Sequence, residues 1–121
     1  MTQEEKELLL KDLSARLPYG IIASVRGSDE EFQHFHILGA KDDKVWVKND
    51  ILCVDDFDDV EVVKPYLRPM SSMTEEEKEE YRKKGFYWSD IDWLNEHHFD
   101  YRGLIEKGLA IEASEGMYKN D

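Results

Sequence analysis

Five short runs of β-branched and aromatic residues between residues 19 and 64 constrain the fold of this chain more than any other feature. The runs are YGIIASVR, EFQHFHILGA, KVWVK, ILCV and VEVVK. Turn-forming spacers separate them, namely GSDE, KDD, ND and DDFDD. Short strands joined by tight turns are typical of a small antiparallel barrel. We therefore predict a five-stranded SH3-like barrel over residues 19–64, with an OB-type barrel as the less favoured alternative.

The residues before this β-rich stretch predict an N-terminal helix over residues 1–17. Thr2 and Glu5 have the spacing of a capping box, in which each side chain bonds the backbone of the other residue. Pro18 ends the helix because it disfavours helical geometry in the residue before it. The apolar residues of the helix form one stripe at Leu9, Leu10, Leu13 and Leu17.

The residues after the β-rich stretch predict a helical C-terminal part over residues 74–113. Before it, the connector KPYLRPMSSM carries two prolines four apart, which exclude a helix and a central strand. Thr74 and Glu77 form a second capping box at the start of EEEKEEYRKK. Ser89 opens a helix over DIDWLNEHH, and Asp100 opens a short third one over YRGLIEK. The segment LAIEA predicts a last extended piece, so the architecture is α+β.

Length and charge narrow the class of protein. The 121 residues suit one domain spanning residues 1–121, and the formal charge of −12 is spread along the chain. Lys and Arg do not cluster as direct nucleic-acid binding requires, so a protein is the expected partner. No run approaches the roughly 20 apolar residues of a membrane span. The single Cys53 indicates a buried thiol in a reducing compartment, and we expect a cytoplasmic protein.

The stretch DWLNEHHFDYRG raises the question of a metal or catalytic site. His97, His98 and Asp100 could supply ligands, but adjacent helical residues point about 100° apart. A histidine at a helix end is stabilised by the helix dipole, and Asp100 has a capping role. We therefore favour a helix end over a site. His34 and His36 are two residues apart on a predicted strand, so they share one of its faces. No third ligand accompanies them in the sequence.

The run DDFDDVE over residues 55–61 contains five acids. It lacks the glycine and the ligand spacing of an EF-hand loop, so a solvated acidic turn is favoured over a calcium site. The sequence contains no nucleophile elbow, C-x-x-C pair or phosphate-binding loop. We predict no cofactor and lean towards a protein without catalytic activity.

Aromatic residues are densest between residues 86 and 101, next to an arginine. This composition is typical of a protein interface, and equally of a core that packs helices onto a sheet. Core packing is the favoured interpretation for most of these side chains. The candidate interaction surface consists of Trp88, Trp93, His97, His98, Tyr101 and Arg102.

Three runs of the chain resemble a group of small proteins of unassigned activity from gut bacteria, their phages and mobile elements. The runs are ARLPYG (15–20), KPYLRPMSSMTEEEKEE (64–80) and DWLNEHHFDYRGLIEKGLAIEA (92–113), the last followed by EGMY (115–118). They cover somewhat under half of the chain. The resemblance implies an origin rather than an activity. The chain departs from the group in its short link between Gly85 and Asp92 and in having Ser14 where a cysteine is common.

Three functional hypotheses follow from the sequence. The first is a non-enzymatic protein-interaction or accessory module of phage or mobile-element origin. The second is an acidic mimic of DNA that inhibits a DNA-handling protein, because the charge is −12. The third is a metal-dependent enzyme that uses the histidine and aspartate residues named above.

Overall fold

The computed structural model describes residues 1–26, 35–49, 54–84, 89–114 and 117–118. Three α-helices and six strands alternate unevenly along these residues. The helices are α1 (Gln3–Arg16), α2 (Glu75–Lys84) and α3 (Ser89–Glu96). The strands are β1 (Ile22–Val25), β2 (Phe35–Lys41), β3 (Lys44–Asn49), β4 (Val54–Asp59), β5 (Val63–Leu67) and β6 (Ile111–Glu112).

The six strands form one open mixed sheet, so the prediction of a five-stranded SH3-like barrel is wrong. The strand order is β4-β3-β2-β1-β5-β6, and only β5 and β6 run parallel. After β4 the chain passes through a 3-10 turn at Val60–Val62, and β5 then pairs with β1 at Val25 and Val63. Three strands therefore separate β4 from β5. A barrel closes only when its edge strands pair, and here β4 and β6 lie at opposite edges.

Helix α1 covers one face of the sheet and forms the main core with it. Its predicted capping box is confirmed, since Thr2 Oγ1 accepts from Glu5 N at 3.1 Å and Glu5 Oε1 accepts from Thr2 N at 2.8 Å. The predicted leucine stripe is the buried side of the helix. Its fully buried members, Leu9 and Leu13, belong to one cluster with Val45 of β3.

The fourth strand of the described residues begins at the last residue of the predicted strand ILCV. The other three residues of that prediction, 51–53, lie outside the described part of the chain. The predicted acidic turn DDFDD is instead strand β4, paired with β3 along six residues. Aspartate disfavours strands, but pairing in the sheet overrides this weak preference. Lysines at positions 44 and 48 of β3 lie opposite Asp59 and Asp55.

A proline lies inside β5, although the sequence predicted that the prolines would exclude a central strand. Arg26 N donates to Val62 O at 2.8 Å, so these residues form a hydrogen-bonded pair. Bonded and non-bonded pairs alternate from there along the β1–β5 ladder. Pro65 lies opposite Ala23, at a position where the backbone groups point away from β1. On its other side β6 begins only opposite Tyr66. No donor is needed from Pro65, and the strand therefore accommodates it.

A tyrosine hydroxyl completes the β1–β5 ladder where the two strands diverge. By register, Ile22 would pair with Tyr66. Instead, Ile22 N donates to Tyr118 Oη at 3.0 Å, and Tyr118 Oη donates to Tyr66 O at 2.7 Å. One side chain near the C-terminus thus replaces a backbone hydrogen bond.

The C-terminal part contains two α-helices, and the predicted third helix is a series of turns. Asp100 still performs a capping role, since its carboxylate accepts from the backbone N–H groups of Leu104 and Ile105 at 2.8 and 2.9 Å. Leu104 is thereby held in the main core. Across the described ranges, no helix has the length and apolar character needed to cross a membrane.

Candidate functional site

The predicted interaction surface divides between the interior and the exterior of the molecule. Trp93 and His98 are buried, with 2% and 1% of their surface exposed. His97, Tyr101 and Arg102 are half-buried. The sixth residue of the predicted surface, at position 88, lies outside the described residues. The internal contacts of the five described side chains determine which of them a partner can reach.

Trp93 forms the centre of a small second core between α2 and α3. Its ring lies 5.4 Å from that of Tyr81 and 5.8 Å from that of Phe99. Its Nε1 donates to Glu80 at 3.1 Å, so the buried indole N–H has an acceptor. His97 packs against the same ring at 4.2 Å. Trp93 therefore holds two helices together and is not available to a partner.

Glu77 joins the start of α2 to the end of β5. Its carboxylate accepts two hydrogen bonds of 2.7 Å from Arg68 and one of 2.9 Å from Thr74 N. The Arg68 guanidinium and the Thr74 amide lower the pKa of Glu77 to about 2. His97 Nδ1 lies 3.8 Å from the same carboxylate. The predicted capping box of α2 is confirmed, and the arginine adds to it.

A buried charged cluster joins α1 to the C-terminal turns. Asp12 and Arg16 are both fully buried, and they form a bidentate ion pair of 2.8 and 3.1 Å. Arg102 Nε donates to Asp12 Oδ1 at 3.0 Å, the oxygen that also accepts from Arg16 Nη2. Arg16 Nη2 also donates to Phe99 O at 2.7 Å. Within the described part of the chain, Asp12 is the one carboxylate that contacts both guanidinium groups.

Tyr101 lies between the two arginines of this cluster. The guanidinium carbons of Arg16 and Arg102 are 5.2 and 4.9 Å from its ring centre. Its hydroxyl accepts from Arg102 Nη2 at 3.1 Å and donates to Asn95 Oδ1 at 2.9 Å. The aromatic and arginine side chains of the predicted surface are thus largely occupied by internal contacts.

The two adjacent histidines point apart. His97 packs on Trp93, whereas His98 stacks on Tyr118 with ring centres 3.7 Å apart. His98 has a φ of 64°, so the chain turns sharply there, and the predicted helix end is confirmed. Asp100 is engaged as a cap. Over the ranges that the structure covers, no three His, Cys, Asp or Glu side chains come together as a metal site would require.

The second predicted histidine pair is only partly within the described residues. His36 lies on β2 opposite Lys48, and His34 lies outside the described ranges. Cys53 also lies outside them.

An aromatic pair with one exposed member lies at the β4 edge of the sheet. Trp46 of β3 and Phe57 of β4 stand opposite each other and stack with ring centres 5.8 Å apart. Phe57 is 61% exposed, the highest value among the large apolar side chains of the described residues. Gly39 of β2 lies beneath the Trp46 ring, because a Cβ there would meet the indole at 3.6 Å. The pair lies on the sheet face opposite α1, because the buried Val45 and Val47 alternate with Trp46.

Acidic side chains line the same edge of the sheet on its other face. Asp56 and Asp58 lie opposite Val47 and Val45, so they share the face of the core residues. Asp58 is half-buried, and its burial together with the neighbouring carboxylates raises its pKa. Charged residues at such positions oppose association of sheet edges. This surface was not predicted, because the composition of the acidic run is typical of a turn.

Comparison of the chain with protein-family models, with curated proteins and with solved structures finds no significant match.

Proposed function

We propose that this protein is a non-enzymatic protein-interaction module, and that its interaction surface is the sheet face that bears Trp46 and Phe57. The single observation that carries the proposal is the exposed Phe57 side chain, which stacks on the half-buried Trp46. Phe57 contributes a large apolar side chain that is 61% exposed. Aromatic residues dominate the energetics of protein interfaces when a partner covers them.

The surroundings of the pair support a protein rather than a nucleic acid as the partner. Four aspartates of β4 flank Phe57 along the strand, on both faces of the sheet, and the chain carries −12 overall. A phosphate backbone would be repelled by this charge. We place the protein in the reducing cytoplasm, since its single cysteine forms no internal disulfide.

Capture of partners from host lysate tests the proposal. Nuclease-treated lysate is passed over the tagged wild type, the Phe57→Ala variant and the Ile91→Ala variant. Ile91 is a matched control because it is an apolar residue, 45% exposed, on α3. We expect a stoichiometric partner that the Phe57→Ala variant loses and the Ile91→Ala variant retains. A partner captured equally by all three proteins would contradict this surface.

A second candidate function is mimicry of DNA, which the acidity of β4 favours. Four of its six residues are aspartates, and the chain carries −12 overall. Negative charge of this density suits a surface that binds the phosphates of DNA. Under this hypothesis the captured partner is a DNA-handling protein that duplex DNA displaces. A partner that stays bound in excess duplex DNA would exclude mimicry.

A further inference from the structure

The backbone of β4 is unpaired along its outer edge within the described part of the chain. Val60 N donates to Asp43 O at 2.9 Å, so these two residues form a hydrogen-bonded pair of the β3–β4 ladder. Bonded and non-bonded pairs alternate in an antiparallel ladder. Phe57 therefore occupies a non-bonded position, as do Asp55 and Asp59. The N–H and C=O groups of these three residues point away from β3.

The amide at the midpoint of this edge is occupied by the chain's own side chain. Phe57 N donates to Asp56 Oδ1 at 2.8 Å. The same carboxylate lies on the core face of the sheet, with Asp58 two residues further on. Among the residues that the structure describes, no lysine or arginine forms an ion pair with either carboxylate. Within the described ranges, these two acids at the sheet edge are therefore available to a cation from outside.

A second copy of this strand is a poor occupant of the edge. An added copy of β4 would place aspartates opposite or diagonal to Asp56 and Asp58. Like charges that face each other across a strand pair are destabilising. Self-association through β4 is therefore disfavoured, whereas a strand of opposite charge is favoured by the same geometry.

We infer that β4 accepts an extended segment of a partner protein, in which lysines or arginines alternate with apolar residues, as an added strand of the sheet. The inference rests on the proposed function and specifies the class of partner. Side chains alternate between the two faces of a strand. The basic residues of the segment would lie beside Asp56 and Asp58, and its apolar residues would lie beside Phe57 on the opposite face. Main-chain hydrogen bonds supply affinity in such strand addition, and side chains supply specificity.

The Asp56 carboxylate connects recognition of the basic side chains to formation of the main-chain hydrogen bonds. A cation beside Asp56 draws the carboxylate away from the Phe57 amide. The freed N–H then donates to a carbonyl of the added strand. Without the cation, the carboxylate keeps the amide occupied, so apolar strands of low charge are rejected.

A synthetic peptide of alternating lysine and valine is the probe, with a glutamate–valine peptide of the same length as its control. We expect the lysine–valine peptide to bind and the glutamate–valine peptide not to bind. Amide hydrogen exchange followed by NMR reports strand addition directly. Binding should slow exchange at Asp55, Phe57 and Asp59. Binding that leaves these three amides unprotected would overturn the inference.

A pair of charge variants separates the edge from the overall charge. The Asp56→Asn/Asp58→Asn variant should bind the lysine–valine peptide about tenfold more weakly, as expected for the loss of two partly exposed ion pairs. The Glu76→Gln/Glu79→Gln variant removes the same charge from exposed positions of α2. We expect its affinity to stay within about twofold of the wild type. Equal losses in the two variants would show unspecific attraction and overturn the inference.

This test can fail while the proposed function stands. Suppose that a lysate partner needs Phe57, binds the Asp56→Asn/Asp58→Asn variant as well as the wild type, and is not displaced by the lysine–valine peptide. This result would support the interaction module and overturn strand addition. Conversely, a partner insensitive to Phe57→Ala removes the proposed function itself.

Discussion

The two ends of the molecule use the same kinds of side chain in opposite ways. At the junction of α1 with the C-terminal turns, Asp12, Arg16 and Arg102 are joined to one another and the adjacent tyrosine is held between the arginines. At the β3–β4 end, by contrast, Phe57 stacks on Trp46 and remains 61% exposed. An aromatic and charged composition therefore does not identify an interaction surface by itself. The exposure and the internal contacts of each side chain do.

The largest expected effect is at the buried cluster. Changing Asp12 to Ala leaves two guanidinium groups without their shared carboxylate, and one of them is fully buried. Breaking a buried ion pair in this way costs about 3 to 5 kcal/mol of the free energy of unfolding. Urea denaturation of the variant measures this loss. Glu7→Ala on the exposed side of α1 is the control, with an expected change within about 0.5 kcal/mol. Equal effects of the two changes would contradict the account of the cluster.

The second effect concerns the hydroxyl that completes the β1–β5 ladder. Tyr118→Phe keeps the ring that stacks on His98 but leaves Ile22 N and Tyr66 O without their bridge. An unsatisfied buried backbone group costs about 1 to 3 kcal/mol. Denaturant unfolding measures the loss, with Tyr19→Phe as the control. Wild-type stability of Tyr118→Phe would show that the hydroxyl does not replace a ladder bond.

The third effect depends on pH and belongs to Glu77. Its pKa is lowered to about 2 in the folded protein, against 4.5 for a free glutamate. The carboxylate therefore stabilises the fold above about pH 4.5, and this contribution is lost as the pH falls towards 2. Because the pair is partly exposed to solvent, we expect Glu77→Gln to cost about 1 to 2 kcal/mol at neutral pH.

Unfolding at several pH values checks the sign of this effect. The stabilities of the wild type and of Glu77→Gln should converge between pH 4.5 and 2. Glu76→Gln, at an exposed position of the same helix, serves as the control and should follow the wild type. A constant difference at all pH values would exclude the carboxylate as the source.

The smallest effect on stability is expected at the β3–β4 end. Phe57 contacts Trp46 and otherwise faces solvent, so Phe57→Ala should change the free energy of unfolding by less than about 0.5 kcal/mol. Denaturant unfolding of this variant shows whether Phe57→Ala loses a partner because the contact is removed or because the protein is unfolded. A destabilisation comparable to that of Asp12→Ala would place Phe57 in the core and remove the contrast between the two ends.

Local signals in the sequence predicted local structure well. The two capping boxes, the leucine stripe of α1 and the helix end at His97 follow from contacts between residues close in the chain. The Asp12–Arg16 pair has the same i,i+4 spacing and was visible in principle. Its burial depends on Arg102, which is 90 residues away, and so could not be predicted from spacing alone.

Long-range pairing explains the errors. The sheet is open because β5 crosses to β1 and β6 adds in parallel beyond it, and neither contact leaves a periodic pattern in the sequence. The acidic β4 is a strand because β3 pairs with it, against its own composition. Because this run was assigned to a turn, the exposure of Phe57 on an edge strand of the sheet was not predicted.

Tryptophan fluorescence tests the contrast between the two ends most directly. In two variants, Trp88 and one other tryptophan are changed to Phe, so that only Trp46 or only Trp93 remains. The account predicts that acrylamide quenches Trp46 several-fold more efficiently than Trp93, and that the lysine–valine peptide reduces quenching of Trp46 alone. Protection of Trp46 in the free protein together with ready quenching of Trp93 would contradict it.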